Sequence, residues 1–266
     1  MHYAYISIPL TLALGATAAM PADSWVFGKS LFYLGPPTGA FITKATYSLV
    51  PPDVPSGVKV SSPTDQVWAS VWVGASSTNG DEGANLYQPL LNWSPDQESQ
   101  GCSANSTEWC VAASTYTPRK IFSMIQAWLL MYTEGQVGQT YVPVPPKTNL
   151  DFEISVENNK VYQTVAMNGE VISQQSDALD NGLKYLYSEN ECYTGSGNCG
   201  VFHGYKITNL TVTLSAADES FGKTMGLFSC TDAGFATIDN GKTWYTDYIA
   251  IQEVDLDSSS DASVQQ

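Results

Sequence analysis

A single glutamine stands inside an apolar segment of this chain. The segment reads LYQPLLNW over residues 86–93, and the period of a strand places Leu86, Gln88 and Leu90 on one face. An amide in such a position either hydrogen-bonds a bound molecule or is satisfied by neighbouring backbone at an irregular sheet edge, as the following proline suggests. Gln88 is therefore the first candidate for a functional side chain.

Tryptophans accompany this glutamine along the chain. The segment QVWASVWVG alternates, so that Trp68 and Trp72 share one strand face and small apolar residues form the other. Indole faces of this kind bind sugar rings or polycyclic hydrocarbons, although some tryptophans of a sandwich belong to the core. The predicted substrate-binding set is Trp68, Trp72, Trp109 and Trp128.

Three carboxylates alternate along the segment DFEISVE, namely Asp151, Glu153 and Glu157. Laminarinase-type glycosidases place an acid, a helper and a nucleophile on one strand in a similar way, and carboxylates about 5 Å apart suit a retaining mechanism. The alternative is the solvated face of an ordinary strand, because the three intervening apolar residues form a normal core face.

Histidine and metal chemistry are restricted by composition. His203 is the only histidine outside the N-terminal leader, and it lies beside a glycine where a strand begins, so we expect a structural role. No CxxC motif occurs, which disfavours a zinc site. The sequence predicts neither a metal nor a cofactor.

Five cysteines suggest an oxidising compartment. The spacings CSANSTEWC and CYTGSGNC predict local disulfides between Cys102 and Cys110 and between Cys192 and Cys199. Cys230 is then either a buried thiol or a sign that the local pairing is wrong.

The N-terminus is typical of a secretory signal peptide over residues 1–19, and a buried helix is the alternative. Three sequons, at Asn92, Asn105 and Asn209, fit the same route and are predicted glycosylation sites. We expect a secreted protein, or one held in the lumen of the secretory pathway, without a membrane span after signal cleavage. The net charge of −15 disfavours nucleic acid and anionic membranes as partners.

Turn residues separate period-two segments through most of the 266 residues. The segments EWCVAASTY and FSMIQAWLLMY are further strand candidates, and turns at Asn158-Asn159 and Asn168-Gly169 predict a three-stranded meander. We predict an all-β, antiparallel two-sheet sandwich of the concanavalin A-like or jelly-roll kind, with a concave groove on one sheet. One domain covers residues 20–253, and a disordered acidic tail covers residues 254–266.

Four segments resemble the fungal glutamic peptidases, or eqolisins, which are secreted concanavalin A-like sandwiches. They are ASVWVGASS, LYQPLLNW, DFEISV and VFHGYKITNLTVTLSAAD, within roughly residues 65–218. The resemblance implies that Gln88 is the catalytic glutamine and points into the concave face. It places Lys184 where the catalytic glutamate belongs, with Glu189 and Glu191 after the strand, and therefore predicts no proteolysis.

A second resemblance covers most of the chain beyond the leader. GPPTGAFITKATYSLVPPDVP, VWVGASSTNGDEGANLYQPLLNW and WCVAAS are similar to fungal secreted sandwich proteins that include hetero-Diels–Alderases of tropolonic sesquiterpene and meroterpenoid biosynthesis. These enzymes join an o-quinone methide-type diene to a terpene alkene such as humulene. The resemblance implies small apolar polyketide and terpene substrates, stacking on Trp72, a hydrogen bond from Gln88 to the diene oxygen, and assistance from Lys184 or Tyr187.

The leading functional hypothesis is a cofactor-independent pericyclase of the hetero-Diels–Alderase kind. The alternatives are a glutamic-type endopeptidase and a non-catalytic carbohydrate-binding lectin. An acidic partner for Gln88 favours the peptidase, Asp151 and Glu153 in the groove favour sugar, and an aromatic groove with few carboxylates favours the cyclase.

Overall fold

The computed structural model describes residues 25–80, 83–117 and 135–258. These ranges contain 21 strands, numbered in chain order, and two short 3-10 helices at Gln97–Gln100 and Phe221–Thr224. The strands are β1 (Trp25–Phe27), β2 (Leu31–Leu34), β3 (Ile42–Leu49), β4 (Trp68–Ser76), β5 (Leu86–Tyr87), β6 (Leu90–Trp93), β7 (Trp109–Ala112), β8 (Ser114–Thr117), β9 (Gly135–Gly138), β10 (Val142–Val144), β11 (Leu150–Glu157), β12 (Lys160–Met167), β13 (Glu170–Ala178), β14 (Tyr185–Tyr193), β15 (Val201–Phe202), β16 (Tyr205–Leu214), β17 (Gly226–Phe228), β18 (Cys230–Asp232), β19 (Ala236–Thr237), β20 (Thr243–Ile251) and β21 (Val254–Asp255).

Two antiparallel sheets account for most of these strands. The larger sheet has the order β10-β7-β6-β4-β14-β2-β17, with β1 beside β14 and with β5, β8 and β9 continuing from β4. The second sheet has the order β13-β12-β11-β3-β16-β20-β18, with β19 beside β20. Strands β15 and β21 form a separate two-stranded ribbon.

The hydrophobic core lies between the two sheets. The small apolar side of β4 is buried there, and the Tyr47 hydroxyl of the second sheet donates a hydrogen bond to the Val73 carbonyl at 3.3 Å. The Tyr205 hydroxyl likewise donates to the Asn190 side-chain oxygen of the larger sheet at 2.9 Å. These contacts join the layers, and the predicted all-β sandwich is confirmed.

The predicted meander is also present. Strands β11, β12 and β13 pair consecutively, and the turns between them contain Asn158, Asn159, Asn168 and Gly169 with positive φ. Asparagine and glycine tolerate this left-handed conformation better than other residues, which is why they mark the turns. The segment EWCVAASTY forms β7 and β8, whereas FSMIQAWLLMY lies outside the described residues.

The start of the predicted C-terminal tail is corrected. Val254–Asp255 pairs with Val201–Phe202, and Leu256 is fully buried. The apolar residues of this short stretch alternate with aspartates, so its acidic composition concealed a strand pattern. Residues 254–258 therefore belong to the folded domain, while residues 259–266 and the predicted signal peptide lie outside the described residues.

Both predicted disulfides are formed. The Cα atoms of Cys102 and Cys110 are 6.6 Å apart, and those of Cys192 and Cys199 are 6.1 Å apart. Cys230 is a partly exposed free thiol whose sulfur donates to the Phe228 carbonyl at 3.1 Å. Within the described ranges, no helix has the length and apolar character needed to span a membrane.

Candidate functional site

The outward side of the larger sheet brings the predicted glutamine and two of the predicted tryptophans together. Trp72 of β4 lies between Leu90 of β6 and Glu189 of β14 in the strand register. Because side chains alternate along each strand, one surface carries a defined set of residues. We call this surface the Gln88 face, and it carries Trp68, Ser70, Trp72, Gly74, Gln88, Tyr187, Glu189 and Glu191.

Gln88 sits between β5 and β6, directly beside Gly74. A Cβ added to Gly74 would lie 2.7 Å from a Leu86 side-chain carbon and 3.1 Å from the Gln88 Cβ, so the absence of a side chain lets Leu86 and Gln88 pack closely over β4. The Gln88 backbone N–H donates to the Ser114 carbonyl at 2.9 Å, but its side-chain Oε1 is buried without a hydrogen-bond partner. The alternative of an amide satisfied by neighbouring backbone therefore does not hold for this oxygen.

Two glutamates of β14 lie on the same face, which corrects the sequence analysis. Strand β14 continues to Tyr193, so Glu189 and Glu191 lie within it and not after it. Lys184 precedes the strand and has an exposed side chain. The assisting role of Lys184 stays a prediction, and Glu189 is an additional acidic candidate on the Gln88 face.

Both carboxyl groups have raised pKa values. Burial raises the pKa of Glu191 to about 7. The nearby Trp72 indole N–H partly lowers this pKa, although its geometry does not meet the criteria for a hydrogen bond. Burial, followed by repulsion from Glu191, raises the pKa of Glu189 well above its usual range. These carboxyls consequently hold protons at mildly acidic pH and act there as hydrogen-bond donors.

Tyr187 lies at the centre of the face, and its assisting role stays a prediction. It pairs with Gly74 across the strands, and its ring lies edge-on to Trp72 with centroids 5.6 Å apart. Burial, followed by the charge of Glu189, raises the pKa of its hydroxyl. Tyr187 is therefore a neutral phenol at physiological pH and provides an aromatic wall.

Unpaired buried polar atoms are concentrated on this face. Six buried side-chain polar atoms of the described residues have no hydrogen-bond partner, and four of them belong to Trp68, Trp72, Gln88 and Glu189. Buried polar groups in native proteins are nearly always paired, by protein, water or a ligand. Two N–H donors and two side-chain oxygens left unpaired on one surface make the Gln88 face the candidate site among the described residues.

The other two predicted substrate-binding tryptophans are Trp109 and Trp128. Trp109 is a core residue whose indole N–H donates to the Pro52 carbonyl at 2.8 Å and whose ring packs against Phe202. Its prediction as a substrate contact was wrong, because its strand turns it inward. Trp128 lies outside the described residues.

The acidic strand of the sequence analysis belongs to the other layer. The apolar residues of β11 are buried, and Asp151, Glu153 and Glu157 lie on the outer side of the second sheet. Glu153 forms an ion pair with Lys44 at 2.7 Å. These carboxylates are therefore separated from the Gln88 face by the core, and they give no support to a sugar-cleaving centre there.

His203 and the predicted glycosylation sites also have defined surroundings. His203 Nδ1 lies 3.1 Å from an exposed Glu253 oxygen, consistent with a structural role. Asn105 and Asn209 are exposed and accessible to a glycan. Asn92 is only 6% exposed and both ends of its amide are hydrogen-bonded, so its predicted glycosylation is incompatible with the folded state.

Comparison with known proteins gives no family. No family model matches the chain, and no curated protein matches it. Among solved structures, a variant of human galectin-16 is 16% identical, with 63% of this chain and 94% of that chain covered and a TM-score of 0.26. A β-glucanase of Bacillus licheniformis is 9% identical over 85% and 67%, with a TM-score of 0.26. A native glycosidic hydrolase is 8% identical over 87% and 90%, with a TM-score of 0.30. No activity is transferred from these structures.

Proposed function

We propose that this protein is a cofactor-independent pericyclase of the hetero-Diels–Alderase kind, acting on the Gln88 face. One observation carries the proposal: unpaired indole N–H groups and an unpaired amide oxygen lie beside carboxyls with raised pKa values on an aromatic surface. A cycloaddition needs neither a nucleophile nor a metal. It needs two apolar partners held in one orientation and a donor at the oxygen of the diene.

The enclosure of the face supports a small substrate. Gln88 is 4% exposed and Trp72 is 5% exposed, and the Glu189 Oε1 is inaccessible to solvent. Access to these atoms requires the face to open, and an extended polymer requires a wider opening than a small molecule does. A compact aromatic or terpenoid molecule, in contrast, gains affinity from burial against Trp72 and Tyr187.

Glu189 supplies the acid in this proposal. With 2-hydroxybenzyl alcohol as the diene precursor, the protonated carboxyl gives its proton to the benzylic hydroxyl, and the benzylic C–O bond breaks to release water. The carboxylate recovers a proton from the phenol, which leaves an o-quinone methide. Its carbonyl oxygen and exocyclic carbon then form one C–O and one C–C bond to the alkene, without any oxidant or reductant.

Gln88 and Trp72 act on the second step. The Gln88 amide N–H donates to the carbonyl oxygen of the quinone methide, and the indole stacks against its ring. Removal of one such donor typically costs about 3 kcal/mol of transition-state stabilisation. In this arrangement the Gln88 Oε1 and the Trp72 indole N–H remain available to other polar groups of the substrate.

The test is adduct formation from 2-hydroxybenzyl alcohol and humulene by the purified protein. The adduct has the summed mass of the two reactants less one water, and an enzymatic reaction gives an excess of one enantiomer. Glu189→Gln keeps the shape of the side chain but removes the acid, so its rate should fall about a hundredfold. A racemic product formed at the uncatalysed rate contradicts the proposal.

A glutamic-type endopeptidase is the second candidate, because the structure removes the earlier reason against it. The resemblance predicted no proteolysis because Lys184 occupied the glutamate position, but Glu189 shares a face with Gln88. Digestion of a denatured protein at acid pH, lost in Gln88→Ala, would favour this candidate. Intact substrate after prolonged incubation would exclude it.

We also propose that the protein follows the secretory route. Its two disulfides and its exposed sequons at Asn105 and Asn209 support this placement. Glycan removal that lowers the mass of the secreted protein by up to two glycans is the expected result. A reduced, unglycosylated protein isolated from its natural source would contradict this placement.

A further inference from the structure

A chain of amides leads from a loop backbone to the Gln88 face. It starts at Gln97, whose Nε2 donates to the carbonyl oxygens of Glu108 at 2.5 Å and Asn105 at 3.4 Å. Backbone carbonyls only accept hydrogen bonds, so the amide of Gln97 has one possible orientation. Its Oε1 therefore faces Gln100 and accepts a hydrogen bond from the Gln100 Nε2.

The orientation of the Gln97 amide also fixes the orientation of the Gln100 and Asn92 amides. Because the Gln100 Nε2 is a donor to Gln97, its Oε1 is the acceptor that faces Asn92, and the Asn92 Nδ2 donates to it at 2.5 Å. The other end of the Asn92 amide, Oδ1, accepts from the Ser70 hydroxyl at 2.7 Å. The Asn92 amide is thus fixed at both ends.

Tyr141 is the last residue of this chain of hydrogen bonds. The second hydrogen of the Asn92 Nδ2 goes to the Tyr141 hydroxyl oxygen at 3.2 Å, so this oxygen is an acceptor in that contact. The hydroxyl hydrogen must then point away from Asn92. In the strand register Ser70 lies between Asn92 and Glu191, and after burial the nearby Glu191 also contributes to the raised pKa of Tyr141.

We infer that Tyr141 is a further hydrogen-bond donor to the substrate on the Gln88 face, and that Asn92 is the residue that holds it in this role. The inference rests on the proposed function of the face and adds a second, neutral donor to its protonated carboxyls. Burial of the phenol raises its pKa to about 12, so the hydroxyl keeps its hydrogen at physiological pH.

This role also accounts for the buried sequon. Asn92 is followed by Trp93 and Ser94, but its amide is committed to Ser70, Gln100 and Tyr141. The amide therefore serves orientation and not glycan attachment. Substitutions that remove the sequon without changing Asn92 should leave the site unaffected, which provides a matched control.

The experiment measures binding of salicylaldehyde, an o-hydroxy carbonyl compound that cannot complete the reaction, by quenching of tryptophan fluorescence. Tyr141→Phe keeps the ring and should weaken binding about tenfold. Asn92→Asp should do the same, because the new carboxylate accepts the Tyr141 hydrogen and withdraws it from the face. In the Tyr141→Phe background, Asn92→Asp should have no further effect, which a merely structural role would not produce.

Ser94→Ala is the control, since it destroys the sequon and should leave binding unchanged. Equal affinities of wild type and Tyr141→Phe overturn the inference. Binding without any adduct formation contradicts the proposed reaction but leaves the Tyr141 comparison valid. A wild-type protein that does not bind salicylaldehyde overturns both proposals.

Discussion

At the scale of single residues, two neighbouring acids dominate the behaviour of the Gln88 face. Glu189 and Glu191 lie two positions apart on one strand face, so their ionised forms repel each other and are poorly solvated. The protonated state is the one that the fold prefers. At mildly acidic pH the two side chains are therefore neutral acids and not charged bases.

The first prediction concerns stability against pH. The folded pKa of Glu191, about 7, lies above its usual value of 4.5, so the folded state binds this proton more tightly than the unfolded state. The resulting stabilisation is full below pH about 4.5 and is lost as pH rises through about 7. Glu191→Gln should remove about 3 kcal/mol of this pH dependence, as measured by denaturant unfolding across that window.

The control for this prediction is Glu157→Gln, which alters an exposed carboxyl at the end of β11. Its unfolding free energy should follow that of the wild type at every pH. A Glu191→Gln variant that retains the full pH dependence would show that another group is responsible.

The second prediction concerns the glutamine. Gln88→Leu keeps the volume and removes the amide, so adduct formation should fall about a hundredfold. Because the Gln88 Oε1 has no partner to lose, thermal stability should stay the same or rise. An unchanged rate in the folded variant would make Gln88 a structural residue.

The residues of this face were only partly predictable. Gln88 and Trp72 followed from strict alternation, but Glu189 and Glu191 did not. Their strand has Ser188 and Asn190 on its core side, and polar residues there resemble a loop in sequence. The structure shows why they are tolerated: Ser188 accepts a hydrogen bond from the Phe32 N–H at 3.1 Å, and Asn190 accepts one from Tyr205.

At the scale of elements, Gly74 determines how β4 meets its two neighbours. It lies between Tyr187 of β14 and Gln88, and its lack of a side chain allows Leu86 and Gln88 to approach the backbone of β4 closely. A methyl group at this position would lie 2.7 Å from a Leu86 side-chain carbon and 3.1 Å from the Gln88 Cβ. The Leu86 carbon can move easily, whereas the Gln88 Cβ cannot move without its backbone.

The third prediction follows from this packing. Gly74→Ala should reduce adduct formation at least tenfold by displacing Gln88, while the sandwich remains folded. Gly83→Ala is the matched control, because a Cβ there meets nothing within 4 Å. Wild-type turnover in Gly74→Ala would show that the substrate does not use the centre of the face.

At the scale of the whole molecule, the C-terminal segment, residues 254–258, packs beside the Cys192–Cys199 disulfide. The Asp257 carboxylate accepts hydrogen bonds from the backbone N–H groups of Cys199 and Gly200, at 3.0 and 3.2 Å. Leu256 is buried, and its N–H donates to the Gly200 carbonyl at 3.0 Å. This packing was missed in the sequence because four alternating residues are too few to distinguish a strand from an acidic tail.

The fourth prediction tests this packing. Leu256→Ala should lower the free energy of unfolding by about 2–4 kcal/mol through the cavity that it leaves. Ile238→Ala, at a position that is 85% exposed, should change it by less than about 0.5 kcal/mol. Equal effects of the two substitutions would mean that the segment is not part of the cooperative unit.

The buried Asn92 amide has a consequence during synthesis of the chain. On the secretory route, the glycan-transferring machinery meets the sequon before the larger sheet has closed over it. A molecule modified at this moment cannot bury Asn92, so it cannot complete the hydrogen bonds to Ser70 and Tyr141. The yield of active protein therefore depends on whether strand pairing is faster than glycan transfer to Asn92. Hosts that glycosylate quickly should secrete a heavier fraction that is permanently inactive.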